Sequence, residues 1–334
     1  MKPVGEGDTV EEYLEFADEA AGSPVFRAWA LGVARDPQVR ALLESLPPAK
    51  RQPNLVFAAA RWHGARPGAY DELRDVLLDR WDEVRTTVLH RATQTNEVGR
   101  CATLLPVLAQ LARSGPPLAL LEVGASAGLC LYPDRYSYRY TGAVEVTLDP
   151  SDGPSPVRLD CVVEGHPPLP STVPEVVWRG GIDLNPLDVR DDDAMRWLQQ
   201  LVWPEHEDRR SRLAAAVDLV RDDPPVLVRG DLVERLPALV AEVPDGATLV
   251  VFHSAVLAYL SEQDRSRFTS LASSLRGHWL SNEGAPVLPA QAAAAGPGPP
   301  AGSAVGPTRF LLALDGRPVA WTQGHGRALH WLSP

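Results

Sequence analysis

The chain has 334 residues, 45% of them apolar and 22% charged, which suits one large α/β domain with a helical extension and excludes a disordered polymer. Its formal net charge of -11 opposes phosphate backbones and anionic membrane surfaces at long range, so neither a nucleic-acid nor a membrane partner is expected. Cys101, Cys130 and Cys161 are widely spaced, form no CxxC pair and have no histidine at ligand spacing, so no disulfide framework and no metal site are expected. The start, MKPVGEGDTVEEYLEFADEA, has one Lys and several acids where a leader needs a basic flank and an apolar run. No later stretch approaches the roughly 18 apolar residues of a membrane span. The expected location is the cytoplasm.

From about Glu11 to Ser114 apolar residues recur at helical spacing, as in FRAWALGVARDPQVRALLESL and YDELRDVLLDRWDEVRTTVLHRA, so residues 1–115 are expected to form a helical region. Breaks fall at Gly22-Ser23-Pro24, Pro47-Pro48, Arg66-Pro67-Gly68 and Gly115-Pro116-Pro117, where residues leave the helical basin or lack an N–H. Beyond Pro117 the pattern changes to short apolar runs, LALLEV, VEVTL, VVWRGGI, VLVRG, ATLVVFH, HWL, RFLLAL and PVAWTQ, separated by helices and turns. Strands alternating with helices predict a parallel sheet over 116–334. The last two runs join at Asp315-Gly316, a strong hairpin signal. Residues 284–307, dominated by Ala, Gly and Pro, are expected to form a flexible surface loop.

The most informative segment is the apolar strand Leu118 to Leu121 running into Glu122, then Gly124, Ser126 and Gly128. Small residues after a strand let a ligand approach the backbone, and the N–H groups of a following helix would face it. The spacing E-x-G-x-x-x-G, with Ser126 where a third glycine often sits, resembles motif I of class I S-adenosylmethionine-dependent methyltransferases. That resemblance implies that Glu122 helps to place the methionine amino group. A pyrophosphate turn usually reads G-x-G-x-x-G, which Ala125-Ser126 breaks; a tight turn that binds nothing is the plain alternative.

The run ending in Gly181-Ile182-Asp183-Leu184-Asn185-Pro186 is similar to motif II of the same methyltransferases, whose acid holds the ribose hydroxyls. Helix capping is the other reading of Asp183. Gly230-Asp231 ends the next strand, where the resemblance implies an acid near the adenine amino group and capping explains Asp231 equally well. The fourth strand ends in His253-Ser254, and His253 is a candidate general base, since imidazole titrates near working pH. Glu283, ending the following strand, is a candidate orienting acid. A histidine bonded into the sheet edge is the competing account.

Assigning Asp183 to the second strand leaves 132–175 as an insertion rich in tyrosine, with Tyr136 and Tyr138 among its members, expected to cover the substrate pocket. Two motifs in the helical region, Arg51-Gln-Pro-Asn54 and Thr95-Asn96-Glu97-Val98-Gly99-Arg100, carry Asn where a helix cap belongs. Capping leaves Glu97 and Arg100 on either side of a glycine unexplained. Asn96, Glu97 and Arg100 are therefore expected at the pocket wall.

The stretches RQPNL, TNEVGRC, LLEVGASAGL, DRYSY, GIDLNPLDV, RWLQQLVWP and VVFHSAVLAYL together resemble the domain-of-unknown-function family numbered 2332. That family's pattern has Asn after Gly128-Leu129, where this chain has Cys130. The expected architecture is a mostly parallel Rossmann-like, methyltransferase-type sheet ending in an antiparallel hairpin and preceded by the helical region on the substrate side. The expected function is S-adenosylmethionine-dependent methyl transfer to a small molecule. Another reaction on the same fold, or a non-catalytic partner protein keeping that fold, stands beside it.

Overall fold

The structure, a computed structural model, describes residues 8–332; residues 1–7, on which part of the expectation about a leader rests, lie outside them. The chain divides into two compact units, one ending at Thr95 but also taking in Asp192–Ser211, the other formed by Asn96–Asp191 and the chain from Arg212 onward. The helical region thus stops before the expected 115, because Asn96 to Arg100 and the helix after them belong with the sheet.

In the first unit α1 (Thr9–Glu19), α2 (Pro24–Arg35), α3 (Pro37–Glu44), α4 (Pro53–Trp62), α5 (Tyr70–Asp79) and α6 (Trp81–His90) follow one another. Ser23 caps α2 by accepting from Phe26 N, with Pro24 in the first turn, and Asp36 caps α3 in the same way with Pro37. Helix α4 starts at Pro53 without a side-chain cap, and Asn54, expected as a cap, instead accepts from Trp203 Nε1 at 2.9 Å. Phe16, Phe26, Trp29 and Phe57 meet edge-on or stacked in the core, which also takes in Trp197 from the later segment. That segment is held by Arg61 donating to the carbonyls of Gln200 and Val202, and by Glu205 accepting from Ser23 and Val25 N.

The second unit runs α7 (Cys101–Ser114), β1 (Leu118–Val123), β2 (Ser137–Gly142), β3 (Val146–Leu148), β4 (Arg158–Glu164) and β5 (Val176–Asp183). After α8 (Asp192–Gln200) and α9 (Glu207–Val220) come β6 (Val226–Arg229), α10 (Leu232–Val240), β7 (Thr248–Ser254), α11 (Glu262–Ser274), β8 (His278–Gly284), α12 (Pro289–Ala295), β9 (Arg309–Leu314), β10 (Arg317–Gln323) and β11 (Ala328–Trp331). One sheet holds them in the order β3-β2-β4-β11-β10-β9-β8-β7-β1-β5-β6. Strands β6, β5, β1, β7 and β8 are parallel, and β9 turns antiparallel to β8. The fold is therefore mixed α/β with a large, mostly parallel sheet and antiparallel strands at its C-terminal end.

Strand β1 is buried along its whole length, as a central parallel strand should be, whereas β4 alternates between exposed and buried. Asp315 and Gly316 both take positive φ, 50° and 79°, in the hairpin joining β9 to β10. Two expectations fail here. Residues 132–175 supply β2, β3 and β4 to the far end of the sheet instead of a cover. Residues 284–307 are not a featureless loop: they contain α12, whose Gln291 accepts from Ser281, and Ser303, which donates to Glu164. Among the described residues no helix is long and apolar enough to cross a membrane.

Candidate functional site

Growth of the sheet reverses at β1: the chain adds β5 and β6 on one side of it, then β7 and β8 on the other. The crevice beyond the carboxyl ends of β1 and β7 is thus a topological switch point, where open α/β sheets bind ligands. Glu122 lies opposite Gly181 and Phe252, Asp183 opposite Arg229, and Ser254 opposite Asn282, so these residues share one sheet edge.

The turn after β1 has the backbone that its small residues imply. Gly124, Ser126 and Gly128 have φ of 72°, 53° and 71°, values that L side chains rarely adopt, which accounts for the two glycines and makes Ser126 the departure from the ordinary choice. A side chain at Gly124 would strike Val256, and one at Gly181 would strike Ala125. Asp183 secures the turn, its Oδ2 accepting from Ser126 N at 2.8 Å and its Oδ1 from Asn185 N at 2.7 Å. The helix expected next is replaced by a single 3₁₀ turn, Leu129–Leu131. Its first N–H, on Leu129, donates to Asn96 Oδ1 at 3.0 Å. Asn96 therefore braces the glycine turn.

Glu122 is 5% exposed, and its Oε2 is buried without a hydrogen-bond partner. Burial, reinforced by the neighbouring Cys130 and Asp183, holds its carboxyl well above the usual carboxylate range, against the opposing pull of Arg100. Contact with the Cys101 thiol, then burial, raises the Cys130 thiol, so it is an inert donor to Glu97 O and a neighbour of Asn96 Nδ2 at 3.8 Å. Arg100 donates to Ser254 O at 2.9 Å and Gly324 O at 3.0 Å, tying the end of β7 to the turn between β10 and β11.

Glu97 is 5% exposed and accepts from Gly99 N; its Oε1 lies 3.7 Å from Arg212 and its Oε2 3.3 Å from His325 Nδ1. Gly99 is required because His325 O lies 2.4 Å from the place of its missing Cβ. Arg212 and His325 escaped the sequence reading. The available signal was the repetition of one device: Gly99 beside Glu97, and the pair Gly324 and Gly326 around His325.

The structure does not bring the proposed base to this place. Leu249 and Val251 of β7 pack under α10 and α11, and by alternation His253 shares their face while Glu122 points to the other, with Leu121 and Val123 beside Leu249 and Val251. His253 is fully buried, its Nε2 accepting from Trp279 Nε1 at 3.0 Å and its Nδ1 facing Glu283 Oε1 at 2.7 Å. A ring with both nitrogens so engaged cannot take a substrate proton. Glu283 Oε1 also accepts from Val256 N and Leu257 N. The pair is a strut that positions the loop whose Val256 lies against Gly124, and not the acid and base expected of it.

Three further expectations are corrected. Asp231 is an exposed N-cap of α10, accepting from Val233 N and Glu234 N. Tyr136 and Tyr138 are fully buried, with hydroxyls donating to Leu129 O and Pro133 O. The two tyrosine hydroxyls are thus spent on backbone carbonyls. Around the Glu122 turn, Asn96 to Cys101, Leu120 to Leu129 and Gly181 to Val189 fall within stretches on which the family likeness rests.

No curated protein matches the chain. The model of the family described as "Uncharacterized protein conserved in bacteria (DUF2332)" matches residues 10–331, and the chain belongs to that family.

Proposed function

We propose that the chain is an S-adenosylmethionine-dependent methyltransferase acting on a small molecule, and that Glu122 holds the amino group of the cofactor's methionine end. The observation that carries this reading is the buried, unpartnered Glu122 Oε2 at the switch point, beside a turn opened by three positive φ angles. A buried carboxyl oxygen without a partner is costly, and an ammonium ion placed against it favours the charged form and satisfies that oxygen. Asp183 spends one bond from each oxygen on backbone N–H groups, which leaves acceptor capacity for two ribose hydroxyls. When bound, S-adenosylmethionine supplies an electrophilic methyl group. The chain's own residues then have to bind, orient and exclude water.

Asp231 is left out of this reading, because it is an exposed cap of α10 tied to that helix through Oδ1. The formal charge of -11 disfavours a nucleic-acid acceptor, so the proposal takes the form of a cytoplasmic enzyme with a small-molecule substrate. S-adenosylhomocysteine at about 100 times its Kd should stabilise the protein by about 2.7 kcal/mol through mass action. Calorimetry that finds no binding of S-adenosylhomocysteine to the folded protein at high micromolar concentration would sink the methyltransferase reading.

A further inference from the structure

Ser254, at the carboxyl end of β7, stands beside the glycine turn. Phe252, two residues before it, lies opposite Glu122, and Val256, two residues after it, fills the place of a side chain at Gly124. By alternation Glu122, Phe252 and Ser254 share one face of the sheet, and Asn282 of β8, opposite Ser254, takes the same face. On that face polar side chains form a chain of donors. Thr322 Oγ1 donates to Asn282 Oδ1 at 2.8 Å, and Asn282 Nδ2 donates to Ser254 Oγ at 2.9 Å. Thr322 and Asn282 are fully buried, whereas Ser254 is half-buried. With the amide so oriented, Ser254 Oγ is an acceptor within the network and its own proton is left over; among the described residues it donates to nothing. A buried polar network is costly unless each member is paired, and this one leaves its last donor at the crevice.

Arg100 stands at the same residue. Its Nη1 donates to Ser254 O at 2.9 Å and its Nε to Gly324 O at 3.0 Å, with the guanidinium over the Phe310 ring at 5.6 Å. Its charge reaches Glu122, whose carboxyl it pulls down against burial, yet among the described residues Arg100 has no carboxylate in ion-pair contact and its Nη2 donates to nothing. A half-buried guanidinium hydrogen-bonded to backbone carbonyls alone keeps its charge without a counter-ion. The backbone beside it is held in an uncommon form. Ala255 has φ 59°, and Ser126 in the facing turn has φ 53°. Ala255 N donates to Asn282 O at 3.0 Å, so Asn282 fixes both the strained residue and the Ser254 hydroxyl.

We propose that the Arg100 guanidinium and the Ser254 hydroxyl together bind a carboxylate in the Glu122 crevice, with Asn282 and Thr322 as positioning residues. The inference deepens the methyltransferase reading and rests on it. Glu122 takes an ammonium group, and the cation and free donor beside it take the opposite charge. Charge-assisted bonds from a guanidinium favour a carboxylate over a neutral group. The carboxylate can come from the cofactor's methionine end or from an acceptor bound against it; closeness to Glu122 favours the first, since one α-amino acid end then satisfies both charges.

The test compares S-adenosylhomocysteine with its decarboxylated analogue, which keeps the ammonium group and the nucleoside and lacks only the carboxylate, by calorimetry. Wild type should bind S-adenosylhomocysteine roughly 10- to 100-fold more tightly, the scale of charge-assisted hydrogen bonds. R100Q should bring that ratio to about one, and S254A should lower it roughly fivefold. T322V should lower it less, and T322S should restore it. A change in the ratio separates recognition from a structural tie, which would alter affinity for both ligands alike. If wild type binds the two alike, acetate is titrated into the S-adenosylhomocysteine complex and followed by NMR. Saturable acetate uptake that is lost in R100Q and S254A supports the site with the acceptor's carboxylate as its occupant. Equal binding of the two ligands without such uptake, or variants that weaken both ligands alike, overturns the inference and leaves the methyltransferase reading standing. Failure of the wild type to bind either ligand removes the methyltransferase reading, and the inference with it.

Discussion

The helical unit and the sheet unit bury different chemistry. Among the described residues the helical unit buries only Thr9 and Ser23 as polar side chains, around a core of Phe16, Phe26, Trp29 and Phe57. The sheet unit buries Glu97, Glu122, His253, Asn282 and Glu283 near the carboxyl ends of its strands. Apolar packing maximises stability, whereas buried ionisable groups cost it unless fully paired. Two acid–histidine pairs sharpen the contrast: His253 and Glu283 are closed off by Trp279, while the His325 side chain beside the buried Glu97 is 36% exposed. Local rules broken in one region and obeyed in the other single out the sheet unit as the place to test for function.

The comparison can be broken first in the helical core. Phe57→Ala should cost about 3–5 kcal/mol, the usual range for a buried aromatic, read from the urea midpoint. A loss under about 1 kcal/mol would mean that this core is not the well-packed scaffold described.

Glu122→Gln should weaken S-adenosylhomocysteine binding by roughly 10- to 100-fold, the scale of a lost charge-assisted hydrogen bond. Its effect on stability has the opposite sign. Because burial raises the folded carboxyl pKa, the native state keeps a proton that the unfolded state releases above its ordinary range, near pH 4.3. Stability then falls as pH rises from there toward the folded pKa, and it is preserved below it. Glutamine removes that loss, so the ligand-free variant should melt higher than wild type at pH 7 and equal to it at pH 4. A variant melting lower at both pH values would make Glu122 a structural residue.

His253→Ala leaves Trp279 Nε1 and Glu283 without their partner and should cost about 1–3 kcal/mol in thermal unfolding. S-adenosylhomocysteine affinity should be unchanged in calorimetry. Weaker binding with the melting temperature kept would return His253 to the site. The smallest effect is expected from Asp231→Ala, about 1 kcal/mol for a lost helix cap, with S-adenosylhomocysteine affinity unchanged in calorimetry. Weaker binding would return Asp231 to the site.

Local signals were legible where the backbone itself imposes a residue type. The positive φ values at Gly124, Ser126, Gly128, Asp315 and Gly316 were readable because few residues tolerate them. The strands β1, β5, β6 and β7 were readable from apolar runs bounded by turn residues, and their parallel pairing from the intervening helices. Strands β2 and β4 were hidden inside an apparent insertion, since β4 joins the rest of the sheet through β11, more than 150 residues away, and pairing at such separation leaves no local trace.

What the sequence alone determined is therefore the glycine turn, the parallel strands on either side of it and the acids Glu122 and Asp183 at the ends of β1 and β5. Which face each side chain takes was decided by tertiary structure. A shift of one residue along a strand reverses the face, and that parity puts Glu122 over one side of the sheet and His253 under α11 on the other. The meeting of Glu97 with His325 was likewise beyond sequence reading: it depends on a turn more than 200 residues along the chain approaching Gly99 closely enough that no side chain fits between them.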